Sequence, residues 1–96
     1  MTTTSFEPAA DVADQNAMRT LDQVPARRPF VVVAVGGDDD LAERLTSAGL
    51  WAGTIVEVVG TALFGDPLLV SLHGFRLALR RAEAARVTVR EPEPTA

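Results

Sequence analysis

The sequence predicts a mostly β domain with one short helix, folded as a small closed barrel. Three observations carry that expectation. Residues 68–81 alternate apolar and polar side chains on both sides of the dipeptide His73-Gly74, which marks a β-hairpin. Two β-branched runs, residues 30–35 and 54–59, read as further strands. Between those runs lies a segment, residues 41–48, that places Leu41, Leu45 and Ala48 on one stripe of a helix.

The hairpin can be given a register. With His73 and Gly74 as the two loop residues, Leu72 faces Phe75, Val70 faces Leu77 and Leu68 faces Leu79. These six apolar side chains then share one face. Leu69, Ser71, Arg76 and Ala78 share the other, and a one-residue slip would destroy the sorting. A type I′ turn requires positive φ at both loop residues; glycine supplies it freely and histidine tolerates it.

The remaining elements follow along the chain. Beyond Met1, residues 1–20 contain Phe6, Val12 and Met18 as their large apolar side chains, too few to offset the entropy of ordering, so a flexible tail is expected there. The domain is expected over residues 21–90, beginning with the short apolar lead-in Leu21-Asp22-Gln23-Val24-Pro25. The strand at residues 30–35 reads as buried on much of both faces and ends at Gly36-Gly37. Asp40 is the expected helix N-cap, with Glu43 completing a capping box. Gly49 is placed to end the helix in a left-handed cap, with Leu50 folding back on it. Gly60 marks a bend or bulge in the second strand. Gly65-Asp66-Pro67 aims the chain into the hairpin, since proline biases Asp66 to extended backbone. Residues 81–85 form a tight turn, residues 86–89 a closing strand, and residues 91–96 a loose end.

Composition excludes several chemistries. The chain has no cysteine, hence no disulfide, thiolate metal site or thiol nucleophile. Its single histidine, His73, has no cysteine and no paired carboxylates near it in sequence, so it reads as a turn residue rather than a metal ligand. Asp38-Asp39-Asp40 reads as a helix cap, because nothing spaced like a calcium loop follows. No nucleophile–base pair stands out, and Gly36-Gly37 lacks the Gly-Lys-Ser/Thr ending of a phosphate loop. No catalytic, cofactor-binding or metal-binding residue is therefore expected. The net charge of −4 comes from acidic ends; residues 27–90 are nearly neutral and lack the dense basic face of a nucleic-acid binder. Residues 1–10 have neither the basic region nor the apolar run of a signal peptide, and no stretch nears the roughly 20 apolar residues of a membrane span.

The order and spacing of these pieces resemble the FeoA domain, the small component of bacterial ferrous iron transport systems. The resemblance rests on Leu21-Asp22-Gln23-Val24-Pro25, on Arg44-Leu45-Thr46-Ser47-Ala48-Gly49-Leu50 and on Gly53-Thr54-Ile55-Val56-Glu57-Val58. It continues through Gly65-Asp66-Pro67-Leu68 and Gly74-Phe75-Arg76-Leu77-Ala78-Leu79-Arg80. It implies an SH3-like barrel and a non-enzymatic, cytoplasmic accessory role, exerted at the inner face of the membrane through the partner. That partner would be the ferrous iron transporter, either its cytoplasmic GTP-binding domain or its membrane part. No nucleic acid and no membrane insertion are implied, and self-association stays open. Three places depart from the family pattern: Ala48 stands where a larger aliphatic residue is usual, Trp51 where a polar one is, and Ala26-Arg27 where a glycine commonly follows the lead-in proline.

So small a barrel leaves no room for a buried ligand pocket, so function is expected on its outside. Trp51, in a loop between Gly49 and Gly53, is the expected partner anchor. Phe64 is expected to plug one barrel end, with a partner anchor as its alternative role. Arg76, Arg80 and Arg81 are expected on the exposed hairpin face, Arg76 and Arg80 steering an acidic partner. The alternative function is a small barrel that binds nucleic acid through these arginines.

Overall fold

The computed structural model describes residues 17–92, and in them six strands form one antiparallel sheet in the order β1-β6-β2-β3-β4-β5. The strands are β1 (Arg19–Thr20), β2 (Pro29–Val35), β3 (Ile55–Thr61), β4 (Leu68–Leu72), β5 (Phe75–Leu79) and β6 (Val87–Arg90). Helix α1 (Asp40–Ser47) connects β2 to β3, and the single turn α2 (Arg81–Ala84) connects β5 to β6. Tight 3-10 turns stand at Leu21–Gln23 and Leu63–Gly65.

The hairpin has the predicted register, from Leu72 opposite Phe75 to Leu68 opposite Leu79. Both loop residues are left-handed, with φ of 50° at His73 and 84° at Gly74. The sorting of faces holds for five of the six apolar residues: Leu68, Val70, Leu72 and Leu79 are buried and Leu77 packs partly against the core. Phe75, the sixth, is 46% exposed because it sits at the turn end of the outermost strand. Gly60 does mark a bulge, since the β3–β4 register shifts between Val58 and Gly60. A second shift, between Val32 and Ala34, bends β2 against β6. Such bulges sharpen local twist and let a short sheet curl around its core.

Four details of the sequence reading change. First, the sheet curls into a barrel without closing by hydrogen bonds, because among the described residues β1 and β5 do not pair. Leu21 and Ala84, both buried, fill the core from the 3-10 turn and α2, which pack on each other. Secondly, the sheet begins before residue 21: Arg19 and Thr20 pair with Val89 and Thr88. The rest of the expected tail, residues 1–16, lies outside the described residues, as do residues 93–96. Thirdly, the helix N-cap is Asp39, not Asp40, with the Asp39 side chain accepting from the Ala42 amide at 3.2 Å. The shift follows from Arg86, which forks both guanidinium nitrogens onto the Asp39 carboxylate at 2.9 Å each. Fourthly, the expected turn at residues 81–85 is the short helix α2 (Arg81–Ala84) with Ala85 as its C-cap.

The C-terminal end of α1 is a Schellman motif. Gly49, at φ 116°, donates to the Thr46 carbonyl, and Leu50 donates to that of Leu45. The reversal drops Leu50 into the core, fully buried beside Leu45. At another edge of the core, the guanidinium groups of Arg19 and Arg28 cover the Phe30 ring at 5.9 and 5.6 Å. Both also pair with Glu91, so cation–π contact and ion pairing together seal that edge.

Candidate partner-binding surfaces

Trp51 follows the buried Leu50 directly and is 51% exposed. Its loop is tied down at several points. Gly53 donates to the Val32 carbonyl at 2.9 Å, Thr54 donates its amide to the Trp51 carbonyl at 3.1 Å, and the Thr54 hydroxyl donates to Gly49 at 2.9 Å. The Gly49 carbonyl is also 3.1 Å from His73 Nε2. A carbonyl can only accept, so this contact places the ring proton on Nε2. The imidazole thus reaches from the hairpin turn back to the helix end, and Trp51 packs against it with ring centroids 5.1 Å apart. Phe75 continues the row, its centroid 6.4 Å from that of His73. Ile55, which opens β3 after this loop, is also half exposed. The result is an exposed aromatic face built from two separate chain segments, residues 51–55 and 73–75, and held by hydrogen bonds.

His73 is therefore both the predicted turn residue and a structural post for Trp51. A Cβ at Gly49 would lie 2.8 Å from His73 Cδ2, so the glycine is needed for space as well as for its backbone angle. The sequence reading missed His73 and Phe75 as members of this face. The signal was present in the hairpin register, which puts both at the turn, but nothing in the sequence showed that α1 ends against that turn.

Phe64 lies elsewhere. The core role expected for it is wrong: it is 100% exposed, and Leu63 beside it is 80% exposed. The reason is a backbone reversal, for Phe64 has φ 62° and ψ 19° inside the turn Leu63–Gly65, which points both side chains away from the barrel. Arg81 holds this turn from the side. Its Nε donates to the Gly65 carbonyl at 2.7 Å, one terminal nitrogen donates to the Asp22 carbonyl at 2.9 Å, and its backbone amide donates to Asp66 Oδ1 at 3.0 Å. Arg81 is thus a clamp, and not the free hairpin-face charge expected of it.

The expected partner residues consequently fall into two groups. Trp51 stands before β3 and Phe64 after it, with about 20 Å of seven-residue strand between them. Arg76 lies near the hairpin turn, opposite Ser71 and one residue from Phe75, and is exposed on the outer side of β5. Arg80, also exposed, lies at the far end of β5, next to the Arg81 clamp. Arg76 therefore belongs with Trp51, and Arg80 with the Phe64 end.

Among the described residues, no three His, Asp or Glu side chains gather where they could hold a metal ion. The recesses flanking α1 are shallow; one of about 200 Å³ runs between α1 and β5, lined by Leu45, Ala48, Leu77 and Leu79. No helix among the described residues is long and apolar enough to cross a membrane.

The FeoA domain model matches residues 19–91. The fold is similar to that of a zinc-complexed FeoA from Stenotrophomonas maltophilia, described as a prokaryotic SH3 domain protein and put forward as a ferrous iron transport activating factor. The two share 38% identity at a TM-score of 0.65, over 73% of this chain and 87% of that one. A FeoA from Chlorobium tepidum shares 30% identity at a TM-score of 0.71, over 80% of this chain and 73% of that one. A crystal structure of an iron uptake regulatory protein, also a FeoA, shares 27% at 0.68, over 76% of this chain and 95% of that one. A manganese-dependent transcriptional repressor shares the fold at a TM-score of 0.71 with 15% identity, over 80% of this chain and 43% of that one. No curated protein matches the chain. The domain match, spanning every described strand, and the shared SH3-like barrel make this chain a member of the FeoA family, which is tied to ferrous iron transport.

Proposed function

We propose that this protein is a non-enzymatic accessory factor of a ferrous iron transport system, acting in the cytoplasm by contact with the membrane transporter. The observation that carries the reading is the exposed aromatic face of Trp51, His73 and Phe75. Large aromatic side chains held in place by neighbouring hydrogen bonds lose little freedom on binding, and such residues dominate interface energies. Arg76 beside this face offers a cation for an acidic rim on the transporter's cytoplasmic domain, where it would speed encounter more than it would tighten the complex. The reading gives the protein no bond to make or break; its effect is to hold or shift the partner. The test is binding of the whole protein to the detergent-solubilised transporter, followed across salt concentrations beside a control oligonucleotide. Stoichiometric binding to the transporter that weakens only modestly with salt is expected. A complex with the oligonucleotide that loses affinity steeply with salt, without transporter binding, would overturn it.

A further inference from the structure

We infer that the Leu63–Phe64 turn is a preformed knob that enters an apolar pocket on the transporter, as a second anchor at the opposite end of the barrel from Trp51. This inference rests on the transporter being the partner. Three observations on the turn itself support it. Phe64 occupies left-handed backbone, at φ 62°, which a bulky side chain adopts only at a cost and which Gly, Asn or Asp would adopt more cheaply. The ring gains nothing in return within the fold, since it is wholly in solvent and Leu63 is nearly so. Yet the turn is held by more bonds than its length requires. Arg81 binds Gly65, Asp22 and Asp66, while Ala62 donates to the Pro67 carbonyl at 2.9 Å and Gly65 to that of Ala62 at 3.0 Å. A residue choice that opposes local preference, on a backbone held rigid, is what a docking element requires.

The occupant follows from size and charge. A phenyl ring and one leucine together can bury roughly 400 Å², about half of what one side of a stable interface between two proteins needs. Two such tips meeting across a two-fold axis would be too small to hold a dimer, whereas one tip enclosed by pocket walls uses its whole area. An anionic bilayer is also a poor match. The chain carries a net charge of −4, Asp66 flanks the tip, and Arg81 is committed to the turn, so the exposed Arg80 at this end is set against an acidic neighbour rather than joined by a cluster of cations. A bilayer anchor requires cations beside its apolar residues. The apolar pocket of a protein is the remaining fit.

The experiment compares the whole protein with Phe64→Asn, Leu63→Ser and Trp51→Ala on the transporter in nanodiscs, on empty nanodiscs with about one-third phosphatidylglycerol, and alone by sedimentation. Phe64→Asn should melt no lower than the parent, because asparagine accepts left-handed backbone. It should bind the transporter about 30-fold more weakly, and Leu63→Ser should also weaken binding, by a smaller factor. Transporter binding unchanged by Phe64→Asn but lost in Trp51→Ala overturns the knob and leaves the functional reading standing. Absence of transporter binding by the parent overturns both. Binding to empty nanodiscs, or self-association, that Phe64→Asn abolishes overturns the pocket in favour of lipid or a second copy.

Discussion

At His73 and Gly74 the backbone turns left-handed, and the two residues meet that demand differently. A Cβ added at Gly74 would touch nothing within 4 Å, so the cost of replacing it is purely conformational. Gly74→Val should therefore destabilise the fold by about 1–3 kcal/mol, read as a lower midpoint in urea, with a hairpin that still forms. Unchanged stability would place the turn elsewhere. The alternation of apolar residues revealed this turn because the information is local: two strands and a tight turn are contiguous in sequence. Phe64 shows the reverse case. A large apolar side chain is ordinarily buried, and no local pattern distinguishes one that is displayed. What displays it is the positive φ in its turn, and the clamp on that turn comes from Arg81, sixteen residues away from Gly65. Trp51 was readable as exposed from its glycine neighbours, but its stacking partner His73 comes from a separate element.

Helix α1 illustrates the same division between local and distant information. Its stripe of Leu41, Leu45 and Ala48 and its glycine stop are local, and they lie where the sequence placed them. Three consecutive aspartates left the cap ambiguous by one residue, and the choice of Asp39 is made by Arg86, 47 positions on, at the entrance to β6. The hydrogen bonds from Arg86, and after them the one from the Ala42 amide, hold the Asp39 carboxyl far below the usual carboxylate range. A group whose folded pKa is depressed contributes stability above its unfolded pKa and loses it as pH falls toward the folded value. The pair should thus be fully effective at neutral pH and fade once pH drops below the ordinary carboxyl value of 3.8. Asp39→Asn preserves the cap and removes only the charge. Its melting temperature should lie below that of the parent at neutral pH, and the gap should narrow between about pH 5 and about pH 2.5. Asp39 is exposed and Arg86 partly so, and the gap will be small. A gap constant across that range would contradict the assignment. Strand β1 was missed for a related reason: two residues carry no periodicity, and Arg19–Thr20 is a strand only because β6 offers it an edge.

Across the whole molecule, the SH3-like barrel serves to place two exposed apolar elements at opposite ends of the same strands. The succession of its elements along the chain, though not the order of strands in the sheet, was readable from strand spacing and turn residues. Its incomplete closure was not, because pairing between the first and last strands depends on curvature accumulated along the entire sheet. Likewise Trp51, Arg76 and Arg80 could each be chosen as surface residues from sequence, whereas Phe64 read first as a core plug, and their division into two ends required the register of β3, β4 and β5. The aromatic face is expected to be a contact surface rather than a part of the fold. Surface-plasmon kinetics of Trp51→Ala against the cytoplasmic domain of the ferrous iron transporter, with thermal melts of the same samples, test it most directly. Trp51→Ala should lose about 2 kcal/mol of affinity, mostly through a faster dissociation rate, with a far smaller change in stability, while Arg76→Ala should mainly slow association. A Trp51→Ala protein that unfolds, or one that binds like the parent, would contradict it.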